Sequence, residues 1–369
     1  MRVFFSTGEL SGELLAAELL EAMRAQTAIE AEGIGDERLA AAGVRIVQRN
    51  RGWASLGALA AVRRIPPLGI AVLRLAARLL RRPPDLVVLV DFGAFNLRFA
   101  RLLRMLGFRR PIVYYAPPGV WFDDPRRARR VASCCDALTI FAHQAAFYRS
   151  LALPIGYVGH PLVSTVAPRP LRASCARDDG VVALLPGSRS AEIAFHAPVL
   201  LDALATLRRS RTAVRAVLVA ASDDVQRQLE ALLALRSPLP VTIVRDARRA
   251  LREADAAAVA SGTAVLEAAL IGTPVAAFYI LPQAQYRLAR RVYRRPYVTL
   301  PNLVLDAALV PELLQHAVTP DALAAVLEAL LAEPRSQAAG FARLRELLGP
   351  ADALARNAAW VVRSAERAA

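Results

Sequence analysis

Short runs of β-branched and aliphatic residues alternate along this chain with longer stretches in which apolar positions recur every three or four residues. Val3–Ser6 reads as a first strand and Ser11–Arg24 as a helix, with LLAAELLEAM supplying its apolar stripe. Leu86–Val90 (LVVLV) predicts a strand buried on both faces, followed by a helix over Phe95–Leu106. Ile112–Tyr115 and Ala137–Phe141 read as further strands. The segment VSTVAPRPLRASCARDDG, rich in Pro, Ser and charge, then breaks the rhythm and reads as a linker. A second series begins at Val181 (VVALL) and continues through Val214–Ala220, Val241–Val244, Ala256–Ala260 and Pro274–Phe278. From about Thr319 onward the pattern is helical, and no repeat of solenoid period is present.

Strands alternating with helices predict an α/β fold with parallel sheets. At 369 residues, 55% of them hydrophobic, the chain is too long for one ordinary core. The expectation is two Rossmann-like domains, 1–168 and 176–349. Doubly wound sheets hold ligands outside the carboxyl ends of their strands.

Charge narrows the chemistry. The net charge is +15, and all 47 basic side chains are Arg, with no Lys. Walker-A, Schiff-base and kinase-strand lysine mechanisms are thereby excluded. Arg-rich codon usage accounts for the excess, so nucleic acid is not an expected partner; anionic partners such as sugar nucleotides, phosphorylated lipids or an acidic membrane surface suit the balance. Cys134, Cys135 and Cys175 give neither a disulfide framework nor zinc spacing. They read as small buried thiols in a reducing cytoplasm. The opening MRVFFSTGELSGE reads as no signal peptide. The uncharged stretches Ser150–Pro168 and Ala268–Tyr286 are broken by Gly and Pro and read as strand plus turn. A soluble or peripheral protein is expected. Ala58–Leu80, apolar with interspersed Arg, suits either an interfacial helix or a core helix pair. Arg126–Arg130 and Arg287–Arg295 read as solvated faces that would add attraction near an anionic membrane.

Five places carry candidate chemistry. The first strand runs into Thr7-Gly8-Glu9-Leu10-Ser11-Gly12-Glu13, where Gly8 and Gly12 permit close backbone approach and Ser11 suits an N-cap. Such a turn holds a phosphate or sugar hydroxyl, or is an ordinary strand-to-helix turn. Asp91 follows the strand LVVLV, where burial would raise its pKa toward that of a general base; it alternatively caps the next helix. In Leu184-Leu185-Pro186-Gly187-Ser188-Arg189, backbone N–H groups after Gly187, with Arg189, would receive a diphosphate. Ser261, Gly262 and Thr263 open another helix, with Glu267 one turn in and able to bond ribose hydroxyls; small residues for tight packing are the competing reading. His160, in Gly159-His160-Pro161, lies just before the linker and hence near a cleft between domains; a lone histidine is otherwise structural.

Taken in order, these segments resemble the lipid-A-disaccharide synthase family over nearly the whole chain. GELSGELLAAELLEAMR is similar to the family's opening GExSGD turn, VDFGAFNLRFARLLR to its DxPDFN segment, and YYAPPGVW to its SPSVW segment. FYRSLALPIGYVGHPLV resembles the run ending in GHPL, LLPGSRSAEI and ASGTAVLEAALIGTPV the two donor-site loops, and RPYVTLPNLVLDAALVPELLQ the YVSLPN…VPELLQ run. The resemblance implies a GT-B glycosyltransferase: two facing Rossmann-like domains, with a last helix at about 350–369 crossing back to the first. It implies metal-independent, cofactor-free, inverting transfer from UDP-diacylglucosamine to an acylated glucosamine 1-phosphate at the cytoplasmic face of the inner membrane, and it allows a homodimer. Asp91 would be the base. Gly187, Ser188, Arg189, Ser261, Gly262, Thr263, Glu267 and Asn302 would hold the donor, and Gly8, Glu9, Ser11, Gly12, Asn96 and His160 would complete the substrate site. A related transferase with another lipid acceptor, or an enzyme resembling UDP-GlcNAc 2-epimerase, is the alternative. The chain departs from the family pattern at Glu13, Gly93, Ala94, Phe122-Asp123-Asp124 and Leu305–Ala308.

Overall fold

The computed structural model describes residues 1–50, 58–93, 95–118, 123–170, 179–236, 238–293 and 295–367, with the backbone alone at 58–68 and 292. Ala94, Trp121, Phe122, Cys175 and residues 171–178 of the expected linker lie outside the described residues. The chain forms two compact units, Met1–Thr165 with Leu348–Ala369, and Val166–Leu347.

The first unit is built on seven strands: β1 Arg2–Ser6, β2 Glu30–Gly35, β3 Arg45–Arg49, β4 Leu86–Val90, β5 Ile112–Tyr115, β6 Asp136–Thr139 and β7 Gly156–Tyr157. All pair in parallel, in the order β3-β2-β1-β4-β5-β6-β7. β4 is buried at every position, as a parallel strand covered on both faces must be. One face is covered by a core joining Phe4, Val87, Leu89, Phe99, Leu103 and Tyr114 to Leu75, Ala76 and Leu79 of the helix Ala58–Arg81. The helix Ala353–Glu366 packs on Leu10–Arg24, where Gln26 Nε2 donates to Ala355 O at 3.0 Å.

The second unit repeats the plan with β8 Asp179–Leu185, β9 Ala213–Val219, β10 Val241–Val244, β11 Ala256–Ala260, β12 Val275–Tyr279 and β13 Glu312–Leu314. These are again parallel, in the order β10-β9-β8-β11-β12-β13. Its core centres on the helix Ser190–Ser210, which buries Ile193, Ala197, Leu200, Leu201, Leu204 and Leu207. Among the described residues this is the one helix long and apolar enough to span a membrane, and its buried stripe marks it as a core helix.

Each sheet reverses its strand order once, between β1 and β4 and between β8 and β11. At such a switch point the loops leaving the two strands diverge to opposite faces and open a crevice.

Four expectations from the sequence need correction. Ser11 is not the N-cap: the helix begins at Leu10, Glu9 occupies the cap position, and Ser11 is exposed within the first turn. The strand expected over Ala137–Phe141 ends at Thr139, because Phe141 caps the following helix. The segment expected as a linker is not wholly irregular, since Leu162–Thr165 is helical and Asp179 and Gly180 open β8. Ala58–Leu80 is not a helix pair but part of one helix, Ala58–Arg81; among its described side chains Leu75, Ala76 and Leu79 are buried and Ile70 and Leu73 exposed.

Candidate active site

In the first unit the carboxyl ends of β1 and β4 are stitched together by Asn96. Its Nδ2 donates to Ser6 O at 3.2 Å, Val90 O at 3.1 Å and Asp91 O at 3.0 Å, while its Oδ1 accepts the Ser6 hydroxyl at 2.6 Å. Asn96 is fully buried, so its work is to fix the backbone of the crevice. Tyr114 Oη donates to Asp91 O at 2.9 Å, and Asp91 N–H donates to Tyr115 O at 3.1 Å. Burial, with the Asp91 charge adding to it, raises the Tyr114 phenol well above its usual range, so it remains a donor. Asp91 and Phe92 both take the left-handed conformation, at φ 46° and 49°. Non-glycine residues hold it only where surrounding structure over-determines them. Asp91 is exposed rather than buried, and its unusual feature is a fixed backbone under an accessible carboxylate.

Gly8 lies beneath Phe92: a Cβ there would meet the ring at 2.0 Å. Glu9 is half-buried and Gly12 buried. Glu13, the longer carboxylate at this position, is 4% exposed and spans two elements, accepting Leu39 N–H at 3.3 Å and Asn50 Nδ2 at 3.0 Å. It is a structural tie. His160 is likewise buried, at 3% exposure; its Nδ1 accepts Leu162 N–H at 3.2 Å and Phe141 packs edge-on at 5.0 Å. Burial lowers its pKa to about 3, so it is neutral at physiological pH and offers no acid–base chemistry there.

In the second unit the loop after β8 wraps around a side chain that the sequence reading passed over. Glu192 Oε2 accepts the backbone N–H groups of Ser188 at 3.2 Å and Arg189 at 3.3 Å. Its Oε1 accepts Arg189 Nη1 at 2.8 Å and Tyr279 Oη at 2.6 Å. The two amides expected to receive an anion after Gly187 are therefore satisfied internally. Gly187, at φ 116°, makes this possible, since a Cβ there would sit 2.4 Å from Glu192 Oε2. One helical turn on, fully buried His196 faces Pro186 O through Nδ1 at 2.7 Å and accepts Ile280 N–H through Nε2 at 3.0 Å. A carbonyl only accepts, so the Nδ1 contact assigns the proton to that nitrogen. Glu192 and His196 fall four apart on one helix face, a signal in the sequence; their partners are too distant in the chain to be read from it.

The loop after β11 presents Ser261, Gly262 and Thr263 at the start of the helix Thr263–Ile271. A Cβ at Gly262 would meet nothing nearer than Ala260 O at 4.0 Å, so packing within the unit does not require glycine. Glu267, 9% exposed, accepts Arg248 Nε at 2.7 Å. Asn302 is buried and saturated: Nδ2 donates to Val310 O and Glu312 Oε1, and Oδ1 accepts Leu309 and Val310 N–H, all at 2.8–3.0 Å. It holds a loop. Asp306 ends the preceding helix in the left-handed conformation at φ 50°.

Two doubly wound parallel sheets, each with polar turns at its switch point, define an α/β enzyme of the GT-B type. A model of the lipid-A-disaccharide synthetase family matches residues 3–357, and the chain belongs to that family of glycosyltransferases, which serves lipid A and lipopolysaccharide biosynthesis. A lipid-A-disaccharide synthase of Pseudomonas aeruginosa is 36% identical over 376 residues, covering 100% of this chain and 99% of that protein. One from Azotobacter vinelandii is 37% identical over 383 residues, with the same coverage. Among solved structures, a Staphylococcus aureus MnaA–UDP co-structure aligns with a TM-score of 0.65 at 12% identity, covering 96% of this chain and 94% of that one. The glycosyltransferase SnogD from Streptomyces nogalater aligns with a TM-score of 0.53 at 18% identity, covering 99% of both. These structural likenesses speak for the fold.

Proposed function

We propose that the protein joins UDP-2,3-diacylglucosamine to 2,3-diacylglucosamine 1-phosphate, giving the lipid A disaccharide 1-phosphate and UDP with inversion at the anomeric carbon. The observation that carries this reading is Asp91. It is an accessible carboxylate on a backbone locked by Asn96 and Tyr114, at the switch point of the first sheet, in a chain of this family.

In the reaction Asp91 accepts the proton of the acceptor 6-hydroxyl as that oxygen bonds to the anomeric carbon. The anomeric bond to the diphosphate breaks, and UDP leaves with the electron pair. Arg189 offsets the charge that grows on the departing diphosphate. The open space at Gly262, with Ser261 and Thr263 at a helix N-terminus, supports a close approach of the donor there. Glu267 is held by Arg248 and would meet the ribose from that position. Both substrates are acylated, and the helix Ala58–Arg81 supports access from a membrane surface: Ile70 and Leu73 are 52% and 59% exposed, with Arg74 and Arg81 beside them. The first unit would thus serve acceptor and membrane, the second the UDP-sugar, on the cytoplasmic face of the inner membrane.

The test is turnover by purified protein of both lipids in detergent, read by mass spectrometry. Disaccharide 1-phosphate plus UDP is expected. Asp91→Asn should lower kcat by about 10²–10⁴-fold with UDP binding intact. Undiminished turnover by Asp91→Asn would remove the base, and an epimerised sugar nucleotide in place of disaccharide would overturn the reaction itself.

A further inference from the structure

The loop Pro186–Arg189 is not an open cradle: a carboxylate from its own helix fills it. Among the described residues Glu192 accepts four hydrogen bonds, all from groups that shape this loop: two from backbone N–H groups, one from the Arg189 guanidinium and one from Tyr279 at the end of β12. Two readings of such a carboxylate are chemically distinct. In one, it is a stand-in that the donor's diphosphate displaces, freeing two amides. In the other, it is a permanent internal counter-anion that sets the loop and aims the guanidinium.

The geometry points to the second, and we propose that Glu192 is a positioning residue that acts on the nucleotide diphosphate through Arg189, remaining in place when the donor binds. The inference rests on the donor-site reading given above. Three observations favour it. The Glu192 side chain is 13% exposed, against 43% for Arg189, so the arginine faces solvent and the glutamate is walled in. Gly187 takes a left-handed backbone, and a Cβ on it would stand 2.4 Å from Glu192 Oε2, so the loop is shaped to admit that carboxylate. His196, from the same helix, pins Pro186 and Ile280, so both the entry to the loop and the end of β12 are fixed around Glu192. Moving the carboxylate out would break all four of these hydrogen bonds at once.

The two readings give opposite signs. Glu192→Gln keeps size and an acceptor oxygen but removes the charge. Electrostatics alone would then tighten binding of an anion, and a displaced stand-in would do the same by vacating the amides. Loss of aim at Arg189 weakens binding. The experiment is calorimetric titration of UDP into wild type, Glu192→Gln, Arg189→Ala and the double variant, each checked for an unchanged thermal midpoint. The expected result is a Kd for UDP raised about ten-fold in Glu192→Gln. No further weakening from that substitution is expected once Arg189 is alanine, the pattern of a group acting through its neighbour. Tyr279→Phe should shift Kd in the same direction by less. In turnover, the donor KM should rise more than kcat falls. Tighter or unchanged UDP binding in Glu192→Gln, or additive losses in the double variant, would overturn the proposal. Wild type that binds no UDP would overturn the donor-site reading beneath it.

Discussion

The backbone at Asp91 and Phe92 is left-handed, at φ 46° and 49°, and the Asp91 carbonyl accepts from Asn96, five residues on, and from Tyr114 of the neighbouring strand. Asp91 was legible as a carboxylate following a buried strand. The strain and the partners were not, because Asn96 reaches Ser6 across ninety positions and Tyr114 arrives from the next strand. His160 shows the same limit in reverse: the GHP sequence marks a special place, and only burial reveals a neutral structural group. That burial has a measurable pH signature. The folded pKa of about 3 lies below an unfolded value near 6.5, so between them the unfolded chain binds the extra proton. The stability His160 confers is complete above about pH 6.5 and is lost as pH falls toward 3. The loss between pH 7.5 and 5 amounts to about 2 kcal/mol at about 1.4 kcal/mol per pH unit below the unfolded pKa. His160→Asn, whose Oδ1 can take over the Leu162 N–H, should lack this component. Urea midpoints at the two pH values measure it. Equal pH dependence in both proteins would remove His160 as its source.

Among the elements, strands that announce themselves do so by continuous apolar runs, as β4 and β11 do. β2 reads EAEGIG, with two acids and two glycines, and it is a strand because Gly33 lets the β1 backbone close to it; a Cβ there would stand 2.1 Å from Phe5 O. β7 and β13, with two and three residues, are too short for any period to show. The helix Ala58–Arg81 was legible as amphipathic, but not which face would be covered. Leu75, Ala76 and Leu79 enter the core, and Arg78 pairs with Glu32 of β2 at 2.7 Å. Burial works against the Glu32 charge, yet Arg78 and Arg45 together leave its pKa lowered. The two faces should therefore respond to different measurements. Leu75→Ala creates a core cavity and should cost about 2–5 kcal/mol of unfolding free energy. Leu73→Asp, on the exposed face, should leave stability within about 0.5 kcal/mol and reduce sedimentation with anionic phospholipid vesicles. Vesicle binding that survives Leu73→Asp and Ile70→Asp together would move the membrane contact elsewhere.

At the scale of the whole chain, the last helix makes the first unit discontinuous in sequence. The chain passes from one unit to the other at Thr165–Val166 and again at Leu347–Leu348. The return is anchored by close backbone contact: His160 N–H donates to Leu348 O at 2.7 Å, Asn357 Nδ2 to Gly159 O at 3.1 Å and Leu354 N–H to the Ser164 hydroxyl at 2.9 Å. Gly159 and Gly349 meet where a Cβ on Gly349 would lie 2.8 Å from the Gly159 Cα. Beyond them, Ala353, Ala358, Val361 and Val362 are buried, and Trp360 fills the space beside Gly156. The helix belongs to the first unit, and the second is compact without it. Two compact units should melt as two calorimetric transitions, each answering to its own perturbation. Removing residues 349–369 should lower one transition and leave the other within a degree or two. Saturating UDP, by mass action on the folded second unit, should raise the transition that truncation spares, by an amount set by RT ln(1 + [L]/Kd) and equal to about 2.7 kcal/mol at a hundred-fold excess over Kd. If truncation and UDP moved the same transition, either the terminal helix would be supporting the nucleotide-binding unit or UDP would be binding the first, and the assignment of donor chemistry to the second unit would fall.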